Sequence, residues 1–270
     1  MSAITSFITV PSPRSPAASD QVRDPSDRAA ASQRDQAATS TTADPLQMSS
    51  TELQAHAADI ARVGDLILFD RSQAVGETRA WQCLRWLIRR TQVRMLADCG
   101  YAAAAVADGA RFVHAALLGQ AGRFAEMDGQ ARIRALGTVP PGTLLRIRRP
   151  LTYEAADADV RDGDAAWGVA LSDVRNEVQY PTGELLMYYG WSWQVNKLWL
   201  GRRFCNVFRS ETRDTCAAAV INWWQRAGTG LFAAERSDAW YPGRVALSCA
   251  LRTICEVRII DPTTPTPKGP

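Results

Sequence analysis

Apolar residues recur with helical spacing in several parts of this chain. Residues 78–96 and 164–178 each place large apolar side chains three, four or seven positions apart, and arginines fill the gaps in the first segment. Such spacing predicts an amphipathic helix that packs its apolar side on a core. Asp164 is the expected cap of the second helix. A shorter helix is predicted at residues 49–61, because Ser49 begins a capping-box sequence.

Other segments have the patterns of strands. These are the continuous apolar run 66–69 after a Gly-Asp turn, the segments 111–119 and 122–127 around a short turn, the partly alternating segment 143–148, and residues 256–260. The pair 111–119 and 122–127 predicts a β-hairpin. Tyr241-Pro242-Gly243 is predicted to be a turn. Strands and helices together predict an α+β fold.

The stretch around Cys216 predicts a helix with a cysteine in its first turn. Asp214 or Thr215 can cap the start, three alanines follow Cys216, and Gly228 provides a stop. The positive end of the helix dipole favours a thiolate, and a thiolate is the nucleophilic form of cysteine. The free N–H groups of the first turn could also bind an oxyanion during acyl transfer.

Composition divides the chain into a tail, one domain and a second tail. Residues 1–48 are rich in Ser, Ala, Thr and Pro with one aromatic residue, so we predict a disordered leader, an ordered domain at 49–262 and a disordered tail at 263–270. The leader could be a plain flexible tail or an export signal for a specialised bacterial secretion system. The sequence predicts a soluble protein, because it has no apolar run of about 20 residues and no secretory signal.

Charge and cysteine spacing narrow the choice of function. A net charge of +3 gives no reason to expect nucleic acid as a partner. The six cysteines include no Cys-x-x-Cys pair, so neither a zinc site nor a compact disulfide framework is predicted, and no cofactor is implied. The arginines and tryptophans of residues 78–96 could also lie on a membrane surface, which we keep as an alternative. The oligomeric state is left open.

Histidine is the limiting residue type, because only His56 and His114 are present. His56 is expected to be an exposed surface residue. His114 lies on the first strand of the predicted hairpin, and pairing of that hairpin brings Glu126 close to it. A carboxylate beside an imidazole fixes its tautomer and supports the imidazolium. Asp128 is the fallback partner if the register is shifted.

Cys216, His114 and Glu126 would thus supply a nucleophile, a base and a group that orients the base. Cys205 is the competing nucleophile, but it is not at a predicted helix start. The remaining cysteines are expected to be small buried residues, namely Cys83, Cys99, Cys249 and Cys255. Asp65 is expected to form the turn before the first strand.

The order of these motifs resembles a known family. Residues 64–69, then His114 to Leu117, then Glu126-Met127, then Thr215-Cys216 are similar to the circularly permuted branch of the NlpC-type papain-like hydrolases. YiiX-like proteins and lecithin retinol acyltransferase belong to that branch. The resemblance implies a papain-like fold in which a central antiparallel sheet packs on the cysteine helix, with the histidine strand before the cysteine helix.

The resemblance also implies the reaction. A cysteine hydrolase of this type would cleave an amide bond of a peptidoglycan peptide or a protein side chain through a thioester on Cys216. One alternative is a lipid acyltransferase or thioesterase at a membrane surface. A second is an inactive interaction protein that binds a partner through the aromatic residues at 188–199. A disordered leader before such a domain would suit a secreted bacterial effector.

Overall fold

The fold combines one mixed β-sheet with helices on both of its faces. A computed structural model describes residues 44–76, 78–151, 160–179, 215–229, 232 and 240–262. The predicted leader up to residue 43, the aromatic residues at 188–199, Cys205 and the tail from residue 263 lie outside the described residues.

The described residues form seven strands and seven helices. The strands are β1 (Leu46–Met48), β2 (Leu66–Asp70), β3 (His114–Leu118), β4 (Arg123–Asp128), β5 (Gln130–Ala135), β6 (Leu144–Pro150) and β7 (Leu251–Ile259). The helices are α1 (Ser50–Ala55), α2 (Ala57–Ile60), α3 (Arg79–Asp98), α4 (Ala103–Ala110), α5 (Val160–Arg175), α6 (Cys216–Arg226) and α7 (Pro242–Leu247). These elements confirm the predicted mixture of α and β structure.

The sheet has the order β1-β7-β6-β2-β3-β4-β5. β1 runs parallel to β7, and every other neighbouring pair is antiparallel. β2 is in the centre, where Leu66 and Leu68 face one side and Ile67 and Phe69 the other. Because side chains alternate along a strand, an unbroken apolar run such as this one indicates burial on both faces.

Different helices cover the two faces of the sheet. α5 and α6 pack on the side of Leu66 and Leu68, where Trp223 and Trp224 are fully buried. α1 and α2 pack on the side of Ile67 and Phe69. α3, α4 and α7 form a third apolar cluster beside the sheet. α6, which begins at Cys216, therefore lies directly on the sheet that carries His114.

The predicted elements are present with several corrected bounds. The helix expected at 49–61 has its capping box but breaks at His56 into α1 and α2. Residues 46–48 already belong to the sheet, so the domain begins before the predicted boundary at residue 49. α5 begins at Val160, which places Asp164 inside the helix rather than at its cap. β7 begins at Leu251, five residues before the predicted start.

Two interpretations of local sequence were wrong. Tyr241-Pro242-Gly243 is the start of α7, because proline suits the first turn of a helix, where its missing N–H costs nothing. Of the four cysteines that we expected to be buried, Cys83 and Cys99 are exposed and Cys249 and Cys255 are only partly buried. The sequence also gave no prediction for α4, β1 or β5. Of the described residues, none belongs to a helix that is both long and apolar enough to cross a membrane.

Candidate active site

The Cys216 helix is fixed to the rest of the fold by the polar edges of its tryptophans. Trp223 Nε1 donates to Asp173 Oδ2 on α5 at 2.8 Å, and Trp224 Nε1 donates to the Gly64 carbonyl at 3.2 Å. Gly64 has a φ of +94°, and a Cβ there would overlap the Trp224 ring. Glycine is therefore required at the turn before β2, where it permits the close approach of α6.

Cys216 is the first residue of α6 and is buried. Thr215 occupies the N-cap position as predicted, but its side chain makes no capping hydrogen bond. The first N–H groups of a helix have no acceptor within the helix itself. These groups and the helix dipole place positive potential at the thiol, which is the environment proposed from the sequence.

His114 begins β3 and has Glu126 as its partner on β4. The two strands pair with Ala116 opposite Glu126, so Glu126 is diagonal to His114 on the same face. His114 Nε2 lies 2.9 Å from Glu126 Oε2. The His114 side chain is 14% exposed and the Glu126 side chain is fully buried. The hairpin predicted from sequence thus has the register that joins these two residues.

Cys216 lies close enough to His114 to act on the charge of its imidazole. Because Nε2 of His114 faces Glu126, Nδ1 is the ring nitrogen available to the sulfur. Burial alone would lower the pKa of His114, but the negative charge and hydrogen bond of Cys216, together with Glu126, raise it to about 9. The three residues selected from sequence therefore meet in one place.

Glu126 is held as a carboxylate. Burial opposes its charge, yet His114 and the positive charges of Arg132 and Arg71 lower its pKa to about 2. Arg132 Nε donates to Glu126 Oε1 at 2.9 Å, so each carboxylate oxygen has its own partner. The tilted Phe69 ring, with its centroid 5.4 Å from that of His114, packs beside the imidazole. The imidazole is thereby held by a fixed anion and an apolar neighbour.

Arg132 is the residue of this site that the sequence reasoning missed. It lies on β5 directly opposite Glu126, and it also binds Asp128 through its Nη2. The sequence does contain a signal for its position, the dipeptide Asp128-Gly129, which favours a tight hairpin turn. Gly129 has the positive φ of +77° that such a turn requires. A second hairpin after β4 would have placed Arg132 next to Glu126.

The remaining candidates have other surroundings. Asp128 pairs with Arg132, so it is not the partner of His114. Asp65 accepts hydrogen bonds from Nε and Nη2 of Arg149 and from the Arg62 backbone N–H, which makes it a structural turn residue, as predicted. His56 is exposed, also as predicted, and lies 3.4 Å from Asp59. Within the described ranges, no group of three or more potential ligand side chains could hold a metal ion.

No protein-family model matches this chain, and a search of curated proteins found none that is similar to it. The chemistry of the site is therefore inferred from its own residues. A thiol at a helix N-terminus, an imidazole that can hold its proton, and a buried carboxylate behind the imidazole are together suited to nucleophilic attack on an acyl carbon. The backbone N–H groups of α6 are suited to binding the negative oxygen that forms there.

Proposed function

We propose that this protein is a cysteine hydrolase that cleaves an amide bond through a thioester on Cys216. The observation that supports the proposal is the meeting of three groups at one place: His114 Nε2 lies 2.9 Å from Glu126 Oε2, and Cys216, at the start of α6, acts on the same imidazole and helps to raise its pKa to about 9. The carboxylate behind it keeps the ring oriented toward the sulfur.

Each residue has one task in the proposed reaction. Cys216 Sγ attacks the carbonyl carbon, and the carbonyl π electrons move to an oxyanion beside the first N–H groups of α6. When the oxyanion collapses, the C–N bond breaks, and His114 gives its proton to the leaving nitrogen. His114 then takes a proton from water as the water oxygen attacks the thioester carbon, and the C–S bond breaks to release Cys216 Sγ. The products are an amine, a carboxylic acid and the regenerated Cys216–His114 pair.

The proposed fold family agrees with the chain order. His114 precedes Cys216 in sequence, which is the permuted order of the NlpC-type papain-like hydrolases that this chain resembles. In that family the substrate would be an amide in a peptidoglycan peptide or a protein side chain. The Ser- and Pro-rich N-terminal sequence is of the kind expected for export by a specialised secretion system, and we include a secreted bacterial effector in the proposal.

A thiol-reactive probe tests the nucleophile directly. At pH 6 iodoacetamide should alkylate Cys216 of the full chain rapidly, because ordinary thiols are almost entirely protonated there. Cys216→Ala should remove this labelling, whereas Cys205→Ala and Cys255→Ala should retain it. Peptide mapping by mass spectrometry locates the modified residue. Equal labelling of the wild type and Cys216→Ala would show that Cys216 is not the nucleophile.

A lipid acyl substrate is the second candidate function, and the surface of α3 is the observation that favours it. Trp81 is 50% exposed and Trp86 is 59% exposed, and Arg90 lies over the Trp86 ring. α3 has five arginines and no acidic residue before Asp98. Tryptophans and arginines on one helix favour the interface of an anionic bilayer. α3 approaches the site closely, because Gln92 donates to the Phe112 carbonyl, two residues before His114.

Vesicle flotation distinguishes this candidate from the first. Vesicles that contain phosphatidylserine should carry the wild type to the top of the gradient, and Trp81→Ala with Trp86→Ala should abolish this. Neutral phosphatidylcholine vesicles are the control for charge. If neither vesicle type carries the wild type, the lipid candidate is rejected and the amide hydrolase is unaffected.

A further inference from the structure

Arg71 lies next to the catalytic residues but takes no part in the proposed chemistry. It follows β2 at the sheet edge where His114 begins β3. Its guanidinium carbon lies 5.3 Å from the centroid of the Phe69 ring, which is the ring that packs against His114. Its positive charge also acts on Glu126. The guanidinium and the catalytic imidazole therefore both lie beside the Phe69 ring.

One nitrogen of the Arg71 guanidinium lacks an acceptor. Its Nε is buried without a hydrogen-bond partner, and within the described part of the chain no carboxylate forms an ion pair with it. The Arg71 carbonyl, by contrast, accepts a hydrogen bond from Arg85, which fixes the backbone. Leaving a buried donor unpaired is costly, so such a group in a folded protein needs an explanation. A bound substrate could supply the missing acceptor.

The other cations around Glu126 already have a carboxylate partner. Arg132 and Arg134 form ion pairs with Glu126, and His114 Nε2 lies 2.9 Å from Glu126 Oε2. The positive charge of Arg71 acts on Glu126 without such an ion pair among the described residues. Arg71 is therefore the cation of this group that is available to an anion of the substrate.

We propose that Arg71 binds a carboxylate of the substrate close to the scissile amide, so that the enzyme acts on acidic peptides or acidic acyl amides. The inference rests on the proposed function, because it takes Cys216 as the nucleophile. A guanidinium presents parallel N–H groups that match the two oxygens of a carboxylate. The Phe69 ring supports the guanidinium from one side and holds its plane in place.

A matched pair of alkylating reagents tests the charge preference without a known substrate. N-iodoacetylglycine and N-iodoacetylglycinamide have the same reactive carbon, but only the first has a carboxylate. We compare their rates at Cys216 in the full chain with their rates at the thiol of glutathione. The ratio of the anionic to the neutral reagent should be about tenfold higher at Cys216, as expected for one charge-assisted contact.

Variants then assign the preference to Arg71. Arg71→Gln should reduce the ratio to the glutathione value, and Arg71→Lys should retain part of it. Arg89→Gln is the matched control, because it removes one positive charge from the exposed side of α3 and should keep the wild-type ratio. The ratio compares two reagents at one thiol, so a general change in thiol reactivity does not alter it.

The outcomes separate this inference from the proposed function. If Cys216 reacts rapidly with both reagents at the glutathione ratio, or if Arg71→Gln keeps the wild-type ratio, the carboxylate site is wrong and the hydrolase stands. If Cys216 reacts no faster than an unfolded thiol, the proposed function fails and the inference fails with it. The wild-type ratio is decisive by itself should Arg71→Gln not fold.

Discussion

Cys216 and Cys255 lie in two regions built from similar groups. Each region contains a fully buried carboxylate, Glu126 or Asp65, and each of these carboxylates is bound by an arginine. The difference is the imidazole. His114 stands between Cys216 and Glu126, whereas Asp65 acts on Cys255 directly. Burial, followed by the negative charges of Asp65 and Glu256, raises the pKa of Cys255 to about 11.

The comparison leads us to expect that a carboxylate has opposite effects on a thiol with and without an intervening histidine. A bare carboxylate repels the thiolate and keeps the sulfur protonated. A carboxylate behind an imidazole stabilises the imidazolium, and the imidazolium attracts the thiolate. Asp65 itself is a structural group that Arg149 binds. Burial raises its pKa, although Arg149 and Arg62 oppose the shift. Similar residue types thus surround a thiol beside an imidazole in one region and a thiol beside a carboxylate in the other.

The largest effect on stability should come from breaking the ion pair of Asp65 and Arg149. Asp65→Ala leaves Arg149 buried without its main partner, and we expect a loss of about 3–5 kcal/mol in the free energy of unfolding. Urea denaturation measures this loss. The alkylation rate of Cys216 in the folded protein should stay within about twofold of the wild type. A rate that falls together with the stability would join the two regions and contradict the comparison.

Removing the imidazole of His114 should make the surroundings of Cys216 resemble those of Cys255. In His114→Gln, Glu126 no longer has an imidazolium to support, so we expect Cys216 to react with iodoacetamide at pH 6 about 100-fold more slowly than in the wild type. Stopped-flow alkylation from pH 5 to pH 10 gives the full profile. Cys255 is the internal control and should react only as the pH approaches about 11. An unchanged rate at pH 6 would exclude His114 as the base.

The sequence predicted the three residues of the site because each has a local signal. A helix start marked Cys216, and a strand-turn-strand pattern marked His114 and Glu126. Their convergence across 102 positions (216 − 114) is a long-range property, which the sequence supplied only through the order of motifs. Arg132 was missed because β5 has arginines at alternate positions instead of an apolar run, so no strand was predicted there.

The errors in the fold have similar physical causes. α4 is rich in alanine, which favours helices but gives no amphipathic pattern that could be recognised in eight residues. The exposed tryptophans of α3 are at its N-terminal half, whereas the buried side chains begin at Ile88, so the apolar spacing predicted a packed side over more of the helix than the structure shows. Tertiary contacts decided these cases, and a single sequence does not contain them.

Removing the charge of Glu126 should have an intermediate effect. Glu126→Gln keeps the shape of the side chain but no longer supports the imidazolium, so the pKa of His114 should fall from about 9. Each pKa unit of that fall corresponds to a tenfold increase in the acid dissociation constant of the imidazolium. NMR titration of the His114 ring measures the fall, and the alkylation rate at pH 6 should decrease at least about tenfold. A His114 pKa that stays near 9 would show that Cys216 alone sustains it.

The ion pair of His114 and Glu126 should also make the free energy of unfolding depend on pH. The raised pKa of His114 adds stability that is complete below about 6.5 and is lost as the pH rises through about 9. The lowered pKa of Glu126 adds stability that is complete above about 4.5 and is lost as the pH falls through about 2. A double-mutant cycle of His114→Gln and Glu126→Gln should give a coupling of about 1–3 kcal/mol at pH 5.5 and less at pH 10. A coupling that is constant across this range would contradict the charged pair.

Asp128 offers the finest test, because it has the same charge as Glu126 and lies two residues away on the same strand. Its contact is with Arg132 rather than with His114, so it resembles Asp65 in having a guanidinium as its partner. Asp128→Asn should therefore lower the alkylation rate at pH 6 less than about threefold, since a partly exposed ion pair contributes about 1 kcal/mol or less. The same NMR titration should find His114 close to its wild-type pKa. A decrease as large as that of Glu126→Gln would mean that Asp128 orients the histidine, as in the shifted register considered from the sequence. A small decrease would show that only the carboxylate in contact with the His114 ring affects the rate. Contact with the ring, rather than nearby negative charge, would then be what makes Cys216 different from Cys255.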